Sequence, residues 1–247
     1  MAIDQTFFTI ENQRNVLFFP ERPNGFAVLI IGDHAKSVEE NTSIWHQHPE
    51  RHQFITSLIN QGYTIFTSEL FGAHWGNQRA VDYIEQLYHL VYKKALLNKR
   101  IHVVSENSGA LVSLSLMKRR PDFFRSAFFI NPCLSLEVYE KQEKQNKLYY
   151  KRFRKEIAQA YGINEDQTDV SEVFNTIDLE NMICPPMQIV HDVTNKRFPF
   201  EQHSRPFSIA CERVGKKASI SLHGNGKNYS SYVAPILRFF KKHEEKL

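Results

Sequence analysis

Only three of the 247 residues are cysteine, Cys133, Cys184 and Cys211, and none stands in a C-x-x-C spacing. An odd count without such spacing fits buried free thiols in a reducing compartment. No apolar run approaches the ~18 residues that span a bilayer, so no membrane partner is expected. The opening MAIDQTFFTIENQRN has no basic head followed by an apolar stretch. It is therefore not read as a secretory signal, and the expected location is cytoplasmic. Internal repeats, low-complexity tracts and Pro/Gly/Ser linkers are all missing, which points to one domain over residues 1–247. No G-x-G-x-x-G follows an apolar run, and Phe71–Gly76 lacks phosphate-loop spacing, so no dinucleotide or other cofactor is expected.

An excess of one charge is missing too. Thirty-one Lys and Arg face 27 Asp and Glu, a formal net charge of +4. That falls short of a nucleic-acid footprint, which needs basic residues massed on one face. The densest basic run, KLYYKRFRK from Lys147 to Lys155, reads as a solvated helix face. What is plentiful is aromatic: 19 Phe and 10 Tyr within a 42% hydrophobic chain. Such a composition belongs to a globular protein.

Strand, turn and helix recur along the chain. Phe26–Ile31 is a short apolar run that stops at Gly32, as a buried parallel strand does. Pro49–Asn60 has helical spacing, Gly62 caps it, and Tyr63–Thr67 reads as the next strand. Ala80–Leu97 is amphipathic, with Val81, Ile84, Leu87, Tyr88, Val91 and Leu96 at helical intervals. Ile101–Val104 is a strand, Gly109–Arg120 a helix ended by Pro121, and Ser126–Ile130 a strand. Met187–His191 and Ala218–His223 read as the last strands, and Val233–His243 as a closing helix. The alternation predicts a mostly parallel, doubly wound α/β sheet with ligands beyond the strands' carboxyl ends. Residues 136–181 interrupt it with a charged, helical, polar stretch that reads as an inserted cap.

The segment IHVVSENSGALVSLSLMKRRPDFFRSAFFINP resembles the nucleophile-elbow passage of α/β-hydrolases: strand, G-x-S-x-G, helix, proline, and a strand ending in Asn-Pro. AVLIIG resembles the strand before that family's oxyanion loop, in which Gly32, Asp33 and His34 would stand. INQGYTIFTSELFGAHWGN resembles its helix–Gly–strand–Asp-x-x-Gly-x-Gly passage, with Glu69 in the acidic place. PPMQIVHDVTNKRFPFEQ and ISLHGNGKNYSSYVAPILRFFKKH resemble the segments that deliver the catalytic acid and histidine. The resemblance runs from about residue 26 to the end, residues 136–181 excepted, and implies an α/β-hydrolase fold.

The catalytic positions depart from that pattern. Asn107 falls at the nucleophile, flanked by the small Ser105 and Gly109 that the tight turn requires. Shifting the register to Ser108 would put bulky Glu106 where a small residue belongs. A carboxamide has no hydroxyl or thiol with which to form an acyl intermediate. Asn195 falls where the acid belongs, and an amide cannot balance an imidazolium. Lys227 falls where the histidine belongs, and an ammonium is a poor general base unless strongly desolvated. The triad-equivalent positions are thus Asn107, Asn195 and Lys227, a degenerate set with no catalysis expected. A displaced triad of Ser108, Asp192 and His223 is the alternative, and it would serve an esterase, thioesterase or amidase.

Three histidines, His46, His48 and His52, lie within seven residues. Pro49 most naturally starts the helix, so they read as cap or surface residues and no metal is expected. The preferred reading is a pseudo-hydrolase whose pocket, lined by Gly32, Asp33, Asn107, Ser108, Asn195, His223 and Lys227, binds a small anionic ligand or a protein. A structural or regulatory protein acting through the cap is the third reading.

Overall fold

The hairpin that opens the described chain carries no glycine. Strands β1 (Asp4–Ile10) and β2 (Gln13–Phe19) pair antiparallel, with Ile10 opposite Gln13. The two residues between them, Glu11 and Asn12, take φ of 46° and 61°. Paired positive φ is the turn whose twist matches a hairpin's. The computed structural model describes residues 4–33, 37–165, 178–224 and 228–244.

Beyond the hairpin the elements alternate: β3 (Ala27–Ile31), α1 (Ile44–Gln47), α2 (Pro49–Asn60), β4 (Thr64–Ser68), α3 (Gln78–Lys94), β5 (Ile101–Glu106), α4 (Gly109–Arg119) and β6 (Phe124–Ile130). Two helices follow within residues 136–181, α5 (Leu136–Glu143) and α6 (Lys147–Tyr161). Then come β7 (Met187–Asp192), α7 (Ser204–Arg213), β8 (Ala218–His223) and α8 (Ser230–Lys242). The sheet runs β1-β2-β4-β3-β5-β6-β7-β8. β2 lies antiparallel to β4, and every pair from β4 to β8 is parallel.

Both faces are covered, so the central strands read as continuous apolar runs. Five of five β3 residues and six of six in β5 are buried. On one face Ile84, Leu87 and Val91 of α3 pack with Val112 and Leu116 of α4 and Phe207 of α7. Phe54 and Leu58 of α2 meet Ile236 and Phe240 of α8 on the other. Each such side chain contributes roughly 2 kcal/mol by leaving water. α5 and α6 build a third cluster, Tyr139, Phe153 and Ile157 against Trp75, Leu111, Cys133 and Phe198. That cluster ties the inserted helices to α4 and to the loops after β4, β6 and β7.

Helix starts follow their chemistry. Asn77 accepts from Ala80 N–H at 2.8 Å and starts α3 two residues before the apolar pattern suggests. α3 then ends at Lys94, so Leu96, expected on its apolar face, is 97% exposed. Asn146 accepts from Leu148 and Tyr149 N–H, which separates α5 from α6.

Candidate functional site

β5 leaves the sheet and becomes α4 within two residues. Asn107 sits at the bend with φ 50°, and Ser108 is already right-handed helical. Asn is among the few side chains that tolerate the left-handed region, because its short amide bonds locally. Gly109 follows for a steric reason: a Cβ there would lie 2.3 Å from Ile31 O. α4 therefore begins in contact with the end of β3, a fit open only to glycine. Two residues before the bend, Ser105 is fully buried, its Oγ 2.5 Å from Ser113 Oγ.

Glu106 turns away from the bend toward α2 and α8. Its carboxylate pairs with Arg51 at 2.9 Å and accepts from the Tyr229 hydroxyl. The Arg51 guanidinium lies over Trp45 at 4.7 Å and over Tyr229 at 4.3 Å. Burial works to lower the Arg51 pKa, and Glu106, with Tyr229 and Asp33, outweighs it, so the pKa is raised.

The Asn107 carboxamide donates to Asp33 Oδ1 at 3.3 Å. Asp33, just after β3, has a fully buried side chain, and its Oδ2 lies 2.7 Å from Arg197 Nη1. Arg197 comes from the loop after β7, with its guanidinium 4.9 Å from the Phe198 ring and 5.7 Å from Trp75. Burial opposes the Arg197 charge, but Asp33 and Tyr139 offset it and raise the pKa. Burial also pushes Tyr139 up to about 12 and raises the Cys133 thiol well above its usual range. Sequence reasoning missed Arg197.

The other expected site residues have identified partners. Asn195 Oδ1 accepts from Arg197 N–H at 2.9 Å and Phe198 N–H at 3.0 Å, closing the loop that carries Arg197. Asp192 Oδ1 accepts from Thr194 N–H and hydroxyl at 2.8 and 2.7 Å. His223 Nε2 meets the Tyr232 hydroxyl at 3.0 Å. Asp192 and His223 are register partners at the ends of β7 and β8. Gly32 accepts at its carbonyl from His74 Nε2 at 2.9 Å, and burial lowers the His74 pKa. Lys227 and His34 lie outside the described residues.

A cavity of about 530 Å³ opens between the inserted helices and the loop after β7. Trp75, Tyr139, Tyr149 and Phe153 supply its rings, Arg152, Lys196 and Arg197 its cations, and Glu143 and Glu156 its carboxylates. Asn107, Ser108, Asn195 and His223 are not among its lining residues. Arg197 is the link, facing the cavity while paired with the carboxylate that holds Asn107.

His48 stands just before α2, with Pro49 as the first helical residue, and His46 and His52 make an edge contact at 5.2 Å. No group of three His, Cys, Asp or Glu among the described residues is placed to hold a metal ion. No helix among them is long and apolar enough to cross a membrane.

No protein-family model matches the sequence, and no curated protein sequence matches it. Solved structures do. An acylaminoacyl peptidase of Pyrococcus horikoshii is similar with a TM-score of 0.72 at 13% identity, over 100% of this chain and 43% of that one. A puromycin-hydrolyzing peptidase of Mycobacterium tuberculosis is similar with a TM-score of 0.72 at 10% identity, over 95% of this chain and 38% of that one. This chain thus spans about two fifths of the length of those enzymes. The likeness shows the fold, and the chain has the α/β-hydrolase fold, with an eight-stranded, mostly parallel sheet.

Proposed function

We infer that this chain is a non-catalytic binding module on the α/β-hydrolase fold, a pseudo-hydrolase with a degenerate triad. The observation that carries the reading is the hydrogen bond from the Asn107 carboxamide to Asp33. Acyl transfer at such a bend needs a nucleophile at the apex and N–H donors aimed at the developing oxyanion. Here the apex residue has no nucleophilic oxygen or sulfur, and a carboxylate lies beside it. That carboxylate, paired with Arg197, accepts hydrogen bonds and offers no N–H donor to an oxyanion. Asn195 spends its acceptor on its own loop and, being an amide, cannot itself serve as the acid of a triad. The pocket left for a ligand is the one roofed by α5 and α6, whose rings suit the body of a small ligand and whose Lys196, beside the ion-paired Arg152 and Arg197, suits an anionic group on it.

One observation favours a second reading. Asp192 and His223 end neighbouring strands in register, the relation an acid and a histidine need. A serine hydrolase using Ser108 with this pair follows from it. Incubation with a fluorophosphonate probe separates the two. The binding-module reading expects no labelling of the wild-type chain, while labelling that Ser108→Ala abolishes and Asn107→Ala leaves intact would replace it with the hydrolase.

A further inference from the structure

The edge of the sheet farthest from the hairpin is built differently from the rest of the surface. β8 pairs with β7 along one side, and among the described residues no strand pairs with its other side. Natural edge strands are usually blunted by a charge, a proline or a covering element. The strand ASISLH holds neither a proline nor a lysine, arginine or carboxylate. Ser219, Ser221 and Leu222 are exposed, Leu222 to 50%. α7 packs against β8 from the sheet face, through Ala218 and Ile220, and Ser208 Oγ donates to Ala218 O at 3.2 Å.

Next to this edge, over the β7–β8 seam, lies a groove of about 720 Å³, floored by Gln188, Ser219 and Ser221 and walled by α8 and residues 184–186. Lys216, Lys217, Arg238, Lys242 and His243 line it, and none of its described lining residues is an acid. The chain as a whole carries nearly balanced charge, so this is a local concentration. The basic run on α6, by contrast, is followed directly by Glu156, which pairs with Arg152.

We propose that the β8 edge and its basic groove form a docking site for an acidic, extended peptide segment of a partner protein, bound as an added strand. The two features specify the occupant together. A bare strand edge is matched along its length only by another peptide backbone. Side chains of an added strand alternate between faces, so every second residue lies on the face of Ser219 and Ser221, at the rim of the groove. Acidic residues there meet Lys217, Arg238 and Lys242. Nucleic acid fits less well, because the groove's described rings, Phe239 and His243, are in edge contact with each other at 4.9 Å and offer no stacking row. A second copy of this chain would bring a second set of like charges to the same edge. The site lies at β8 and α8, apart from the Asn107 bend, and does not depend on how that bend is read.

The test is fluorescence anisotropy of a labelled heptapeptide alternating Glu and Val, at low ionic strength against the wild-type chain. The expected result is saturable binding that weakens with salt and falls at least about ten-fold in the K217E/R238E/K242E variant. Reversing exposed Lys151 and Lys155 on α6 leaves it unchanged. A peptide of equal charge with proline at the valine positions binds at least about ten-fold more weakly, since it cannot complete a ladder. Equal binding by the proline peptide, or by a single-stranded oligonucleotide of the same charge, would reduce the site to a general anion patch and overturn the proposal. So would undiminished binding to the charge-reversed variant, or a wild-type dimer in sedimentation that Ser221→Lys dissociates.

Discussion

Arg197 and Asp33, 164 residues apart in the chain, form an ion pair of 2.7 Å whose carboxylate also holds the Asn107 amide. The pair is lopsided in exposure: the Asp33 side chain is fully buried and that of Arg197 is 40% exposed. Removing the guanidinium strands a buried charge, whereas removing both charges does not. Arg197→Met is expected to cost about 2 kcal/mol, below the range for fully buried pairs because solvent screens this arginine. Asp33→Asn in the same chain should recover most of that. Urea denaturation of the single and double variants checks it, and equal losses in both would mean the ion pair is incidental.

Gly109 and Gly32 make a matched comparison. A Cβ at Gly109 meets Ile31 O at 2.3 Å, while one at Gly32 finds nothing within 4 Å. Gly109→Ala should force α4 off β3 and cost at least about 3 kcal/mol, in line with strain at a packed backbone contact. Gly32→Ala should stay within about 1 kcal/mol of wild type. Thermal melts of the two variants decide it, and a mild Gly109→Ala would mean the bend can relax.

Buried histidines make the fold acid-sensitive, and His203 most clearly. Burial lowers its pKa to about 4, with His191 pushing the same way, while Leu134 N–H donates to Nδ1 at 3.2 Å. The unfolded chain binds that proton near 6.5, so between the two values only the unfolded state is protonated. Stability is therefore full above about pH 6.5, drains as pH falls, and stops draining near pH 4. The loss from this residue is about 2 kcal/mol at about pH 5. His74, His102 and His191, each lowered by burial, act in the same direction. His203→Gln should flatten the stability curve between about pH 7 and 5. A variant curve parallel to wild type would remove His203 from the account.

The parallel strands were legible because their signals are local. β3, β5 and β8 are runs of four to six residues closed by Gly or a turn, and α2 begins at Pro49 and ends at Asn60 as its spacing predicts. The opening hairpin was not read, because its turn uses Glu11-Asn12 in place of the Asn-Gly or Asp-Gly that marks such turns. α7 was hidden by Pro206, which reads as a breaker yet is harmless in a helix's first turn. At the site, Gly109 was readable from the steric demand of the bend. Arg197 was not, since only the fold brings the loop after β7 to the end of β3. The aromatic cavity is likewise a product of assembly, with rings contributed from Trp75 to Phe153.

Restoring the missing atom at the bend is the strongest single test of the functional reading. Asn107→Ser puts a hydroxyl where the fold's active relatives are expected to carry one. It also replaces a residue suited to φ 50° and deletes the bond to Asp33. The expected loss of stability is about 1–2 kcal/mol. On the proposed reading, turnover of p-nitrophenyl butyrate should stay at the uncatalysed background, because a hydroxyl alone supplies neither a general base nor its acid partner. A burst of p-nitrophenol from Asn107→Ser alone would show that an imidazole already stands within reach of the bend, and the degenerate-triad reading would have to be abandoned.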